Sequence, residues 1–284
     1  MGDVNSAAIE GLPIAIDPAA VSFVPARFDA ANDACEAMWR DGAAILTGRD
    51  TSEADAVALA HDVLGSSVLA VPDPVPVREK GGKDRARAGL GADNIQPAHT
   101  DGYAYGDHYP DVIFLLCEKQ STQGGESLLI DGYALLAELE RGDALARELH
   151  EMLVSVPIDQ TEPGFRSSIS TAIQTTAAGR TMFRRTLDQR PDPRADEAEA
   201  ERQARLISTW HELIEGLSPL VETCKLAPGE ALCVDNYRML HGRHPFALAE
   251  RFLWRIWAWT DGSVGLPEGV LGSDSRHALT EPGG

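Results

Sequence analysis

Hydrophobic positions along the chain change period several times, and each change marks an element. Over residues 28–40, Phe28, Ala31, Cys35 and Met38 fall on one face at helical spacing and predict an amphipathic helix. Residues 43–46 (AAIL), closed by Gly48, form a short apolar run of the kind a buried strand makes. Thr51-Ser52 then caps a helix over 53–64, since a hydroxyl can accept from the free N–H groups of a first turn, and Gly65 ends it. Residues 112–117 (VIFLLC) predict another strand, and Gly124-Gly125 turns the chain into a strand over 127–130. Helical spacing returns over 133–139 and 144–153. Residues 169–176 and 181–185, joined at Ala178-Gly179, predict a β-hairpin. After a turn at 190–193 comes the longest helix, 195–217, and the last strands lie over 230–234 and 252–259. Short strands with grouped helices favour a mainly β fold with flanking helices, a sandwich or jelly roll, over a doubly wound sheet.

Residues 71–98 break the pattern. They hold four Pro, the pair Gly81-Gly82, Gly89, Gly91 and a charged cluster from Arg78 to Arg87, and are expected to form no regular element. A long loop within a compact domain usually serves function, and this one leads directly into His99, so a lid is the expectation.

The chain has 284 residues, and one elaborated domain over 1–284 is expected, because all-β barrels often run to about 250 residues as a single unit. Acidic residues number 44 against 25 basic, a formal net charge of −19. Phosphate binding needs a basic face, so a nucleic-acid partner is not expected. Cys35, Cys117, Cys224 and Cys233 are scattered with no C-x-x-C pair, which excludes zinc-ribbon and thioredoxin-like spacing and suits free thiols in a reducing compartment. No signal-peptide pattern and no long apolar span is present, so a cytoplasmic protein without a membrane partner is expected.

Among the eight His, only His99 has a carboxylate two residues on, in Pro97-Ala98-His99-Thr100-Asp101. On an extended segment residues i and i+2 share a face, so both side chains can reach one metal. A facial triad of two His and one carboxylate leaves three positions of octahedral iron(II) open. The third ligand candidate is His241, in Leu240-His241-Gly242-Arg243 at the end of a strand. His244 competes only in a helical segment, which Pro245 opposes. The bland alternative is that these are ordinary hydrogen-bonded histidines. Alternation over 251–257 puts Arg251, Leu253, Arg255 and Trp257 on one face. If that face is buried, its guanidinium groups need anions, either a dicarboxylic co-substrate or structural partners such as Asp235 or Glu250.

His99-Thr100-Asp101, then 111–120 (DVIFLLCEKQ), Gly124-Gly125-Glu126-Ser127, Asp131-Gly132, Asp235-Asn236 and Leu240-His241-Gly242-Arg243 resemble the taurine dioxygenase and γ-butyrobetaine hydroxylase family of iron(II)/2-oxoglutarate oxygenases. The motifs occur in the family's order across about residues 40–262. The resemblance implies a double-stranded β-helix, with His99, Asp101 and His241 as iron ligands. It implies that Arg251 binds the distal carboxylate of 2-oxoglutarate, assisted by Ser127. It further implies O2-dependent conversion of 2-oxoglutarate to succinate and CO2, coupled to hydroxylation of an unactivated C–H bond in a small molecule. Desaturation, epoxidation and ring formation are variants on the same cofactors, and a zinc or manganese barrel or a non-catalytic binding barrel are the rivals. Arg255 stands where taurine-type enzymes use a second Arg to grip an anionic substrate. Tyr103, Tyr105 and Tyr109 could contribute to a cage for a cationic group. Asn94 and Gln96, just ahead of His99, are further candidate substrate contacts.

Overall fold

A computed structural model of the chain describes residues 12–77, 94–247, 251–269 and 271–273. Its helices are α1 (Pro18–Val21), α2 (Ala31–Asp41), α3 (Glu53–Leu64), α4 (Gly132–Arg141), α5 (Ala144–Ser155) and α6 (Glu197–Leu217). The strands begin with β1 (Arg27–Phe28), β2 (Ala43–Leu46), β3 (Val68–Ala70), β4 (Val75–Val77), β5 (Gln96–His99), β6 (Val112–Lys119) and β7 (Ser127–Asp131). Next come β8 (Ile158–Asp159), β9 (Ile169–Ser170), β10 (Ile173–Thr175) and β11 (Thr181–Phe183). The series ends with β12 (Thr223–Cys224), β13 (Ala231–Asp235), β14 (Met239–Arg243) and β15 (Phe252–Thr260).

Acidic side chains start most of the helices. Ser52 and Asp55 form a reciprocal capping box at α3, while Asp131, Asp143 and Asp196 each accept a backbone N–H at the starts of α4, α5 and α6. A carboxylate there satisfies an orphan donor and meets the positive end of the helix dipole.

Two sheets carry the core. The larger runs β1-β2-β13-β6-β15-β3, with β4 also paired to β15; the smaller runs β12-β7-β14-β5. All these pairings are antiparallel except β1 with β2. The central strands are apolar on both faces, and alternation assigns each face a partner. Ile45, Ile113, Cys117, Leu232, Val234, Leu253 and Trp257 point between the sheets, toward Leu129 and Met239 of the smaller one. Leu46, Phe114, Leu116, Cys233 and Ile256 point the other way, onto α2 and α3. Leu128, Ile130 and Leu240 of the smaller sheet pack outward against α4, α5 and α6. Helices therefore cover both outer faces of the sheet pair.

The architecture is mixed α/β rather than mainly β, and among the described residues the two sheets do not close into a hydrogen-bonded barrel. Because strand faces such as 112–117 are apolar on both sides, helices are needed to cover the outer one. The predicted helix at 28–40 begins at Ala31, because Phe28 pairs with Leu46 in β1. The predicted hairpin divides: Ile169 and Ser170 pair with β8, and only β10 meets β11. The expected irregular stretch 71–98 contains β4 and β5 at its ends. Residues 78–93, where the lid was expected, lie outside the described residues. Among the described residues no helix is long and apolar enough to cross a membrane.

One contact behind β5 has a measurable consequence. Thr100 and Arg185 exchange hydrogen bonds, Thr100 N–H to Arg185 O at 3.1 Å and Arg185 N–H to Thr100 Oγ at 3.1 Å. The Arg185 guanidinium, buried, lies 3.3 Å from His211 Nδ1 on α6. Burial and the Arg185 charge push His211 down to about 4, from an ordinary 6.5. The folded chain thus binds this proton less tightly than the unfolded chain. Stability from neutral His211 is complete above pH 6.5 and is lost as pH falls from there toward 4. His211→Gln is expected to lose less stability between pH 7 and 4 than the wild type, by on the order of 2 kcal/mol after discounting solvent screening. Urea melts at the two pH values check this; equal losses in both proteins would contradict it.

Candidate metal centre

His99 ends β5 and His241 sits in the middle of β14, and the two are direct cross-strand partners. Their rings lie side by side, with centroids 4.5 Å apart and planes tilted by 43°. Between His241 and Arg243 the register slips, so that Arg243 faces Gln96. Such a bulge sets two residues, Pro97 and Ala98, against one, Gly242, which brings both Gln96 and His99 to the cavity side.

Asp101 follows two residues later on a backbone held by Asn236. The Asp101 N–H donates to Asn236 Oδ1 at 3.0 Å, and Asn236 Nδ2 donates to Asp101 O at 3.1 Å. Gly102 comes next at φ 85°, and a Cβ there would stand 2.2 Å from Pro110 Cδ, so only glycine lets the chain turn away so tightly. Asp101 Oδ1 lies 3.4 Å from His99 Nε2 and 3.8 Å from His241 Nε2. The ligand atoms of the three residues all fall within 4.8 Å of one another. Metal–ligand bonds of about 2.1 Å place neighbouring ligand atoms about 3 Å apart, so a small inward movement closes the triad on one ion.

Electrostatics suit a cation. His99 Nδ1 lies 2.9 Å from Pro97 O, an acceptor that calls for the proton on Nδ1 and turns the Nε2 lone pair toward the cavity, where Gln96 Nε2 lies 3.3 Å away. Burial, with the neighbouring His99, pushes His241 down to about 3, so it is a neutral imidazole at neutral pH. Burial alone raises the Asp101 carboxyl, but the net effect, led by the Arg255 guanidinium beside it, holds the group well below the usual carboxylate range.

The triad opens on a cavity between the sheets. Gln96, Ser127, Gly242 and Arg243 line it from the smaller sheet, and Val77, Leu115, Arg251, Leu253 and Arg255 from the larger. Arg251 is buried, and its Nε has no hydrogen-bond partner among the described residues. Burial, then the neighbouring Arg243, lowers its pKa to about 10. Phe246 lies against both guanidinium groups, 4.8 Å from Arg243 Cζ and 5.4 Å from Arg251 Cζ. Gly125 makes room for Arg251, since a Cβ there would lie 3.1 Å from its Cδ.

Of the residues singled out in the sequence, His99, Asp101, His241, Ser127, Arg251, Arg255 and Gln96 therefore meet at one cavity. Asn94 is exposed and touches it only through its carbonyl, 3.5 Å from Arg243 Nη1. Tyr105 exchanges hydrogen bonds with Gly272, and its ring packs edge-on against Trp257 and Trp259. Tyr109 is buried and donates to Phe183 O. Nothing is described of the Tyr103 side chain. Two residues join the site that the sequence reading did not single out. Arg243 shares a face with His241 by simple alternation, and Trp257 touches Asp101 through the face it shares with Arg255.

A His-Asp-His cluster between the two sheets, with Asp101 and His241 buried and Arg251 across the same cavity, offers the donor set that holds one iron in iron- and 2-oxoglutarate-dependent oxygenases. The family model described as "Taurine catabolism dioxygenase TauD, TfdA family" matches residues 18–257, and the chain belongs to that family. The gamma-butyrobetaine dioxygenases of Homo sapiens and Pongo abelii are each 26% identical to it over 156 residues, 52% of this chain and 39% of theirs. The matched segment thus spans about two-fifths of those relatives.

Among solved structures, PvcB, an Fe, alpha-ketoglutarate dependent oxygenase from an isonitrile synthetic pathway, superposes with a TM-score of 0.58 at 18% identity, covering 82% of this chain and 83% of that one. Asparagine oxygenase in complex with Fe(II), 2S,3S-3-hydroxyasparagine and succinate gives 0.54 at 18% identity over 81% and 82%. OrfP in complex with Fe and alpha-ketoglutaric acid gives 0.55 at 12% identity over 82% and 81%. At these identities the likeness concerns the fold.

Proposed function

We propose that the protein is an iron(II)- and 2-oxoglutarate-dependent dioxygenase that hydroxylates an unactivated C–H bond of a small molecule. On this reading the two sheets are the halves of a double-stranded β-helix, and residues 1–284 form one domain. His99 Nε2, Asp101 Oδ1 and His241 Nε2 hold the metal. Arg251, with Ser127 beside it, takes the distal carboxylate of 2-oxoglutarate.

The observation that carries this reading is the pairing of two features across one cavity: three convergent metal-ligand atoms, and a buried guanidinium with an unpartnered Nε. A buried cation without an anion is costly, and a dicarboxylate whose other end chelates the metal meets both needs. When bound, iron with 2-oxoglutarate and O2 supplies the oxidising power for C–H cleavage. The protein's own share is geometric. The triad would hold the ion, Arg251 would anchor the far end of the co-substrate, and Val77, Leu115 and Leu253 keep the cavity partly apolar.

Two fold relatives carry hydroxylated amino acids, 3-hydroxyasparagine in asparagine oxygenase and (3S)-hydroxy-L-Arg in OrfP. They support an amino acid, a small peptide derivative or another natural-product intermediate as substrate. The test supplies ferrous iron, 2-oxoglutarate and O2 with a panel of amino acids and a metabolite extract. Succinate formation that depends on iron, with a product heavier by one oxygen, is expected. Succinate-free turnover on zinc or manganese, or silence across the whole panel, would overturn the proposal.

A further inference from the structure

Asp101 is gripped on one oxygen only. Trp257 Nε1–H donates to Asp101 Oδ2 at 2.9 Å, and Arg255 Nη1 lies 3.2 Å from the same atom. Neither contact involves Oδ1, which faces the two histidine nitrogens. The donors are themselves held. Arg255 Nε and Nη2 both donate to Ser273 O, at 3.0 and 2.7 Å. The Trp257 backbone N–H donates to Ser273 Oγ at 3.1 Å, and the Arg255 guanidinium stacks on the Trp257 ring with Cζ 4.7 Å from its centroid. Trp257, Ser273 and Asp101 are all buried.

We propose that Trp257 and Arg255, anchored by Ser273, are positioning residues that restrict Asp101 to one metal-facing oxygen and so set how many coordination positions stay open. The proposal deepens the metal-site reading and rests on it. A carboxylate free to rotate can chelate through both oxygens and occupy a position that the co-substrate or O2 needs. With Oδ2 bonded to an indole N–H and a guanidinium, chelation has to break both contacts. An indole suits the task because it is a donor only, does not ionise and cannot itself ligate the ion.

The same contacts redefine Arg255. Its Nε and Nη2 go to Ser273 and its Nη1 to Asp101, so its role lies in holding the ligand rather than in gripping a substrate anion.

Trp257→Phe tests this, because it keeps an aromatic ring for packing against Tyr105 and removes the donor along with part of the indole. Full-length apo protein is titrated with Co(II), reading affinity by calorimetry and coordination number by the visible ligand-field spectrum. Wild type is expected to bind with a spectrum of lower coordination number. The variant is expected to bind about 10-fold or more weakly, as losses of outer hydrogen bonds to metal ligands do. Its spectrum is expected to shift toward higher coordination, which a change in packing alone does not produce. Arg255→Gln, which leaves the indole in place, is carried through the same two readouts and decides the matter if Trp257→Phe fails the folding check by circular dichroism. Failure of the wild type to bind Co(II) would sink the metal-site reading itself. Wild-type binding with an unchanged affinity and spectrum in a folded variant would overturn the positioning role alone.

Discussion

Asp101→Ala is expected to abolish iron-dependent succinate formation and to weaken metal binding by more than about 100-fold. The lower bound follows from the smaller perturbation: changes to the partners of a metal ligand already cost about 10–100-fold, and here a ligand itself is removed. A histidine ligand brings no negative charge, so the site also loses its only anionic ligand. A second consequence separates this variant from an ordinary cavity mutation. Removal of the carboxylate leaves the buried Trp257 N–H without an acceptor and Arg255 without its acid, at a cost of roughly 1–3 kcal/mol of stability. The variant is therefore expected to fold, melt earlier than wild type and show no calorimetric signal for iron. Wild-type iron affinity in folded Asp101→Ala protein would remove Asp101 from the site.

Arg251→Ala is expected to leave metal binding intact and to weaken 2-oxoglutarate by roughly 2–5 kcal/mol, the usual cost of truncating one partner of a buried charge pair. Because each 1.4 kcal/mol is tenfold, the apparent constant for 2-oxoglutarate rises by between about 30-fold and several thousand-fold. Turnover at saturating co-substrate changes less, since the metal face and the substrate side of the cavity keep their residues. Arg251→Lys restores charge but not the planar two-point grip, and is expected to fall between the two. Titration of 2-oxoglutarate into the iron-loaded variant, without O2, measures this. An unchanged constant would reassign the co-substrate carboxylate to Arg243, the other guanidinium on the cavity wall.

Legibility in the sequence followed the range of each interaction. His99 and Asp101 are readable because a two-residue spacing on an extended segment is local geometry. His241 is readable only with its flanking motif, since nothing local announces that β14 pairs with β5 in register at this residue. Arg243 stands two residues past His241 on the same strand, so alternation alone reaches it. Trp257 was placed on the correct face of β15 by alternation, but its contact with Asp101 spans 156 positions and no periodicity carries that. The surroundings of Tyr105 were not legible either. A Tyr beside a metal motif suggests a cage, yet Tyr105 is occupied by Gly272, a partner supplied by a distant segment with no pattern of its own. The strands β4 and β5 were hidden because Pro76 and Pro97 argue against strand interiors. Helical cover on both sheets is implicit in runs such as 112–117, whose two apolar faces each require a partner.

The central claim is that two neighbouring strands and the turn after one of them present three ligand atoms to a single ion. Diffraction at the iron absorption edge, from crystals grown with ferrous iron under anaerobic conditions, tests it most directly. One anomalous peak is expected, at about 2.0–2.2 Å from His99 Nε2, Asp101 Oδ1 and His241 Nε2, with Asp101 Oδ2 still on Trp257. A fully occupied iron peak elsewhere, or one that excludes any of the three residues, would contradict it.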